Sequence, residues 1–383
     1  MEKTKKCLMT QYPCARGRAF VCKNIGDYVQ SVASRQYVEP LDGYIEQEEA
    51  DKYFPDDGIK ARLIMNGWFQ WRAENWPPSE YIIPLLVSMH ISPLRKDQLL
   101  TEQGIAFLKK NGPVGCRDLY TKQLLESVGV PAYFSACVTL TLGKNYFTPL
   151  DQRDGIYFVD PYFDIPEIKI KKDDGSVKKN YWLSLKTFLY YCLHANAINK
   201  LATKKFFREY SPIGFLDRNT DKNRAKFKAT IFYKTYIKKF SKHLLLDAHY
   251  ITHWLDVDMK KDTNEDLLNY AESLVKQYSK AKMVVTSRIH AGLPCLGMST
   301  PVVFIANEEV TSMSGNFNTP GRLDGLLELF RVINLSKKGV FSTGDSVFAK
   351  IKKFGLKTHF ANKEDYKVYS DKLDKQLTEF MKD

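Results

Sequence analysis

The sequence predicts an α/β protein built from two doubly wound domains that face one cleft. Two segments carry that prediction, because residues 112–142 and 281–305 each read as strand, turn, helix, strand. A polar stretch at 142–155 falls between them and marks the expected boundary. In the later segment, Met283 to Val285 form the short apolar run of a buried parallel strand. Thr286 and Ser287 are helix-capping types, and Pro301 opens a second apolar run ending at Ile305. In the earlier segment, Val114 to Cys116 form a strand end, Leu119 to Val128 a helix closed by Gly129, and Val130 to Leu142 the next strand. Each segment sets an arginine just past its strand, Arg117 and Arg288, and the second adds His290. Open α/β sheets bind ligands beside the carboxyl ends of their strands, so these positions predict an anion site. The plainer reading of Arg117 and Asp118 is local capping and salt bridging. The expected units are residues 1–150, 151–340 and a helical tail, 341–383.

The remaining elements follow in order. Residues 18–25 read as an apolar segment and a loop, followed by a helix from about Gly26 with Val29, Val32, Ala33, Gln36 and Tyr37 on one side. Asn24 and Asp27 stand at its start. They are ordinary helix-start residues or, with the helix facing the cleft, a substrate contact and a base. Residues 61–67 read as a buried strand running into a loop that contains Asn66. Trp68, Trp71 and Trp76 then crowd an aromatic, proline-rich stretch; they form either an apolar plug or a stacking wall for a sugar. Residues 82–92 are the next strand, ending at His90, which reads as a structural histidine. Residues 99–112 are an amphipathic helix. After the boundary come a strand at 156–159, a lysine-rich hairpin or loop at 165–182, a helix at 182–198, basic helical sequence at 199–240 and a strand-like run within 243–255. An amphipathic helix at 264–281, capped by Thr263, leads into the second strand–helix unit. A long polar loop at 307–322 is fit to cover a ligand, and 324–333 reads as a short helix–strand unit.

Composition narrows the class. A hydrophobic fraction of 44% fits a globular protein. No apolar run has membrane-spanning length, and the N-terminal residues lack the apolar core of a signal peptide, so a cytoplasmic location is expected. The formal charge of +13 arises from lysines spread along the chain, without an RNA-binding or helix-turn-helix signature. A solvated basic surface is therefore expected, not nucleic-acid binding, with a weak attraction to anionic membranes. The seven cysteines lack any CxxC spacing and read as reduced thiols. His243, His249 and His253 lack the context of a metal motif, so no metal site is expected.

With these residues in view, the chain resembles the polysaccharide pyruvyl transferase family. The motifs that carry the resemblance are KNIGDYVQSVA (23–33), GPVGCRDLYTKQLLESVGVPAYFSACVTLTL (112–142) and VVTSRIHAGLPCLGMSTPVVFI (284–305). The resemblance implies a glycosyltransferase-B-like fold of two Rossmann-like domains with the active site in the interdomain cleft. It implies transfer of a pyruvyl group from phosphoenolpyruvate to a sugar, of the kind with free galactose-type 4- and 6-hydroxyls, to form a pyruvate ketal. The expected setting is capsule or exopolysaccharide assembly, with the acceptor on a lipid-linked oligosaccharide beside the inner face of the membrane. It implies no cofactor beyond the donor substrate. Arg117, Arg288 and His290 fall on donor-binding positions; His290, Asp27 and Arg288 are the expected catalytic residues, and Asn24, Asn66 and Trp68 complete the expected substrate contacts. Ala291 stands where relatives commonly carry glycine, which would narrow the pocket at the helix start. Two rivals remain: a glycosyltransferase of the same fold using a nucleotide sugar, and a non-catalytic polyanion-binding protein.

Overall fold

The computed structural model describes residues 3–10, 20–69, 71–166, 169–171, 177–211, 216–217, 221–258, 261–307 and 321–382. The first part of the chain forms strands β1 (Lys5–Thr10), β2 (Phe20–Asn24), β3 (Gly43–Glu46), β4 (Ala61–Met65), β5 (Ile82–Leu86), β6 (Val114–Cys116) and β7 (Ala132–Phe134). Four of these make a parallel sheet in the order β3-β1-β4-β5. The parallel pair β6-β7 continues it through a bridge between Met89 and Cys116. The second part adds β8 (Ile156–Val159), the hairpin β9 (Lys169–Lys171) and β10 (Val177–Lys179), β11 (His249–Ile251), β12 (Trp254–Asp258), β13 (Met283–Thr286), β14 (Val302–Ala306), β15 (Val332–Leu335) and β16 (Phe341–Ser342). Its sheet runs β11-β8-β13-β14-β15-β16 and is parallel except at the last pair.

The strands are short and apolar because helices cover both faces of each sheet. Along β13 and β14, Met283, Val285, Val303 and Ile305 enter a core under the second sheet, while Val284, Val302 and Phe304 enter another on the opposite face. In β1, Leu8 joins that same opposite-face core, while Cys7 and Met9 point to a third cluster. This is the period-2 alternation of a strand buried on both sides. The core shared by the two sheets gathers the helices Gly26–Arg35, Asn264–Ser279, Ile289–Gly297 and Tyr366–Lys382 with the buried turn Val138–Leu142. The terminal helix returns to the first half, where Asp374 accepts hydrogen bonds from Tyr37 and Lys144. The strand β2 leaves the first half and pairs antiparallel with β12 over five residues. The two halves are therefore joined by a shared apolar core and a two-stranded clasp.

Several local readings change. Residues 130–142 are not one strand: β7 is short, and Val138–Leu142 is a 3₁₀ turn. The apolar run at 243–247 belongs to the helix Lys242–Asp247, whose cap Ser241 accepts from the Leu244 N–H; a short leucine run has no period that separates strand from helix. Thr286 and Ser287 do not cap the helix that follows. Thr286 Oγ1 donates to the Val159 carbonyl and accepts from the Arg288 N–H, and Ser287 accepts from the Tyr162 N–H. The helix Ile289–Gly297 thus begins without a side-chain cap. Thr263 does cap its helix, in a reciprocal box with Asp266. Most of the expected covering loop, residues 308–320, lies outside the described residues.

Candidate anion-binding site

The ends of strands from both sheets bring the site together. Beyond β4 come Asn66 and Trp68, beyond β5 His90, beyond β6 Arg117 and Asp118, beyond β8 Asp160, and beyond β13 Arg288 and His290. The β2–β12 clasp adds Asn24 and Asp27 on one strand's exit and His253 and Trp254 on the other strand's entrance. Ile25 locks them together by donating its N–H to the His253 carbonyl at 2.8 Å.

Asp27 and His290 meet at 3.4 Å (Oδ1 to Nδ1), joining the start of one helix to the start of another. Asn24 supports the pair, donating to Asp27 Oδ1 at 3.4 Å and accepting from the Gly26 N–H. Gly26 is required by crowding: a Cβ there would lie 2.7 Å from His253 Nδ1 and 3.2 Å from His290 Cβ. Burial alone would raise the Asp27 carboxyl, but the hydrogen bond from His290 and the fields of His290, Arg322 and Lys23 hold it below the usual range. Burial pushes His290 down to about 4 against the pull of Asp27, with Arg117 and Arg322 adding to the depression. At neutral pH the pair is therefore a neutral imidazole beside a carboxylate, and His290 Nε2 has no hydrogen-bond partner among the described residues.

The cationic side of the site is formed by arginines. Arg117 is 1% exposed, and its Nε and Nη2 have no partner among the described residues. The same molecule shows how a buried arginine is ordinarily satisfied: Arg153 donates to the carbonyls of Thr148, Met298 and Ser299 at 2.7–2.9 Å. A guanidinium has only donors and stays charged, so leaving two of them buried and unmatched is costly unless an anion fills the gap. Arg322 lies close by, with its guanidinium 5.2 Å from the Trp68 ring centre and an Nε unpaired among the described residues. Burial and the neighbouring Arg117 push it down to about 10. Arg288 is the anchored member: its Nε donates to Asp160 at 3.2 Å, and its guanidinium lies 5.4 Å from the Trp254 ring centre. Asp160 also accepts from the His253 N–H through the same carboxylate oxygen and holds a left-handed φ of 39°.

A second histidine–carboxylate pair, His90 and Asp118, lies in the first half at 2.6 Å, with both side chains fully buried. Asp118 also caps the helix Leu119–Ser127, accepting from the N–H and hydroxyl of Thr121. The His90 and Trp68 rings meet in a T-shaped contact with centres 5.5 Å apart, and His90 Nε2 is unpaired among the described residues. Asn66 accepts from Ser34, and its amide nitrogen is likewise unpaired.

The structure thus brings Asp27, His290, Asn24, Arg117, Arg288 and Trp68 to one region, while Asn66 follows the same strand as Trp68 and has Ser34 as its hydrogen-bond partner. Sequence reasoning missed Arg322, His90, His253 and Asp160. Arg322 follows Gly321, whose φ of +82° puts its backbone against Tyr120, and the Leu119 N–H donates to the Asp324 carbonyl. Only this long-range docking delivers Arg322 to Trp68. His90 carried a usable signal, since it ends a strand as Arg117 does. His253 is held by Tyr278, 2.7 Å from its Nε2. Among the described residues, no group of three or more His, Cys, Asp or Glu side chains is placed to hold a metal ion.

Fold and site together define an α/β protein in which arginines and histidine–carboxylate pairs converge at strand ends. The family model described as polysaccharide pyruvyl transferase matches residues 24–309, and the chain belongs to that family. It is a pyruvyl transferase of polysaccharide biosynthesis by that membership. The matched span holds every site residue named above except Arg322. No curated protein matches the chain. Among the described residues no helix is long and apolar enough to cross a membrane.

Proposed function

We propose that the protein transfers the pyruvyl group of phosphoenolpyruvate to a sugar bearing 4- and 6-hydroxyls of galactose type, forming a pyruvate ketal. On this reading the halves are Rossmann-like domains in a glycosyltransferase-B-like arrangement and the site is their cleft. The acceptor belongs to a lipid-linked oligosaccharide of capsule or exopolysaccharide assembly. The observation that carries the proposal is the unmatched Arg117 beside Arg322. A donor with both a phosphate and a carboxylate suits guanidiniums, which bind either group bidentately. The uncapped start of the Ile289–Gly297 helix adds N–H groups suited to an anion.

The chemistry balances without a cofactor. A proton adds to the methylene carbon, leaving C2 an oxocarbenium-like centre that one sugar hydroxyl attacks. The C2–O bond to phosphate breaks, and the second hydroxyl closes the ketal. The two hydroxyl protons account for the new methyl hydrogen and for the phosphate. Asp27, low in pKa and 36% exposed, accepts a hydroxyl proton. His290 presents Nε2 to the donor, and a phosphate dianion beside it, by opposing both the cost of burial and the arginine field, favours a proton there that His290 passes to the methylene carbon. Trp68 offers a ring face to the sugar.

Mass spectrometry of candidate acceptors after incubation with phosphoenolpyruvate tests the proposal. The expected result is gain of a pyruvate ketal together with free phosphate. Turnover of a nucleotide sugar, with phosphoenolpyruvate inert, would replace this reading by the glycosyltransferase rival.

A further inference from the structure

The helix Tyr181–Leu193 is amphipathic in the reverse sense. Its sequence, YWLSLKTFLYYCL, is apolar, yet Thr187 is its one buried residue. Tyr181, Trp182, Leu185, Phe188, Leu189 and Leu193 stand between 48% and 80% exposed. At 3.6 residues per turn these six share an arc of roughly 140°. The opposite side, with Ser184, Thr187, Tyr190 and Tyr191, faces the protein, where the two tyrosines pack on the core of the second half. A helix on a globular protein ordinarily turns its apolar arc inward. The three exposed aromatic rings alone present roughly 300–500 Å², already the size of the largest patches on soluble monomers.

The surroundings identify what covers this face. From Gly175 to Arg208 the chain holds seven Lys and Arg and no Asp or Glu. Lys186 sits at the edge of the arc, its ammonium 4.9 Å from the Trp182 ring centre. Lys226 and Lys234 lie 5.8 and 5.6 Å from the ring centres of Tyr191 and Tyr190. We propose that this helix is a membrane-contact surface, lying in the plane of an anionic bilayer with its apolar arc at the acyl boundary and its lysines at the phosphates. Thirteen residues rise about 20 Å, too short to span the hydrocarbon, and Tyr and Trp at one end are rings that settle at the lipid–water boundary. A second copy of the chain fits poorly, because two such faces would oppose the lysines of one to those of the other. The excursion that carries the helix leaves its sheet at Asp160, the partner of Arg288, so the contact surface springs from the edge of the site. The inference does not depend on which donor the site uses.

Flotation with vesicles tests it. The wild-type protein is expected to float with phosphatidylglycerol–phosphatidylcholine vesicles, more weakly with phosphatidylcholine alone, and less as salt rises. The double variant Leu185→Glu, Phe188→Glu is expected to lose at least about tenfold in partitioning, with unchanged melting temperature and unchanged turnover of a soluble acceptor. Absence of flotation by the wild type, or flotation that the variant leaves intact, overturns the proposal. So does a wild-type dimer in light scattering that the variant converts to monomer without any vesicle binding.

Discussion

His90 and His290 each face an aspartate, and burial pushes each down to about 4, but the two pairs are built for different work. Asp118 accepts from His90 at 2.6 Å and from both the N–H and the hydroxyl of Thr121, and it is closed off from water. Asp27 meets His290 and Asn24 only at 3.4 Å and remains 36% exposed. A buried carboxylate held by three hydrogen bonds keeps a ring in place. A loosely held one is able to receive a proton from something that arrives. On the proposed function the comparison separates a positioning pair from a working pair, although their residue types are identical.

The largest expected effect comes from the loose pair. Asp27→Asn should lower turnover by about 10²–10⁴-fold while leaving the melting temperature near that of the wild type, as phosphate release and a thermal melt would show. Retained turnover would move the base elsewhere. The tight pair should behave in the opposite way. Asp118→Ala strips a helix of its cap and leaves buried donors unmatched, so a loss of about 2–4 kcal/mol is expected in urea unfolding; a loss below about 0.5 kcal/mol would mean the pair is not structural. Gly26→Ala pushes a methyl between His253 and His290, and about 1–3 kcal/mol of strain is expected, with turnover reduced more than donor affinity.

Counted for one histidine over one pH unit, the smallest effect is the pH response. His90, His253 and His290 are each held at about 4 in the folded chain, against about 6.5 when unfolded. Between those values the unfolded chain binds protons that the folded chain does not. Stability is therefore complete above about pH 6.5 and falls as pH drops toward 4, by up to about 1.4 kcal/mol per pH unit for each histidine. Denaturant melts at pH 7.5 and 5 read this slope, and a flat profile would mean that the rings meet water in the native state.

What the sequence shows of this molecule is what is local. Val114–Cys116 and Met283–Thr286 are short apolar runs, and Arg117, Arg288 and His290 follow them directly, so both strands and the arginines beyond them are legible. Position 27 reads as a helix start, and its contact with His290 across 263 positions is a product of the β2–β12 clasp, which has no periodic signature because its partners are so far apart in the chain. Arg322 is invisible for the same reason: nothing near Gly321 announces that Tyr120 will receive it. The stretch 182–198 is legible as helical, although the chain divides it at His194 into Tyr181–Leu193 and Ala195–Ala202; the period of the first could not tell which side faces out, and it is the apolar side that does. His90 reads as a structural histidine from its place at a strand's end, and its buried contact with Asp118 agrees with that reading.

The central claim is that Arg117 and Arg322 hold the anionic donor. Calorimetry with phosphoenolpyruvate on the wild type, Arg117→Met and Arg322→Met tests it most directly. The account predicts saturable binding to the wild type and at least about a tenfold loss in each variant, since a charge-assisted hydrogen-bonded pair contributes about 1.5–3 kcal/mol. Equal affinity in all three proteins, or binding of nucleotide sugars in place of phosphoenolpyruvate, would contradict it.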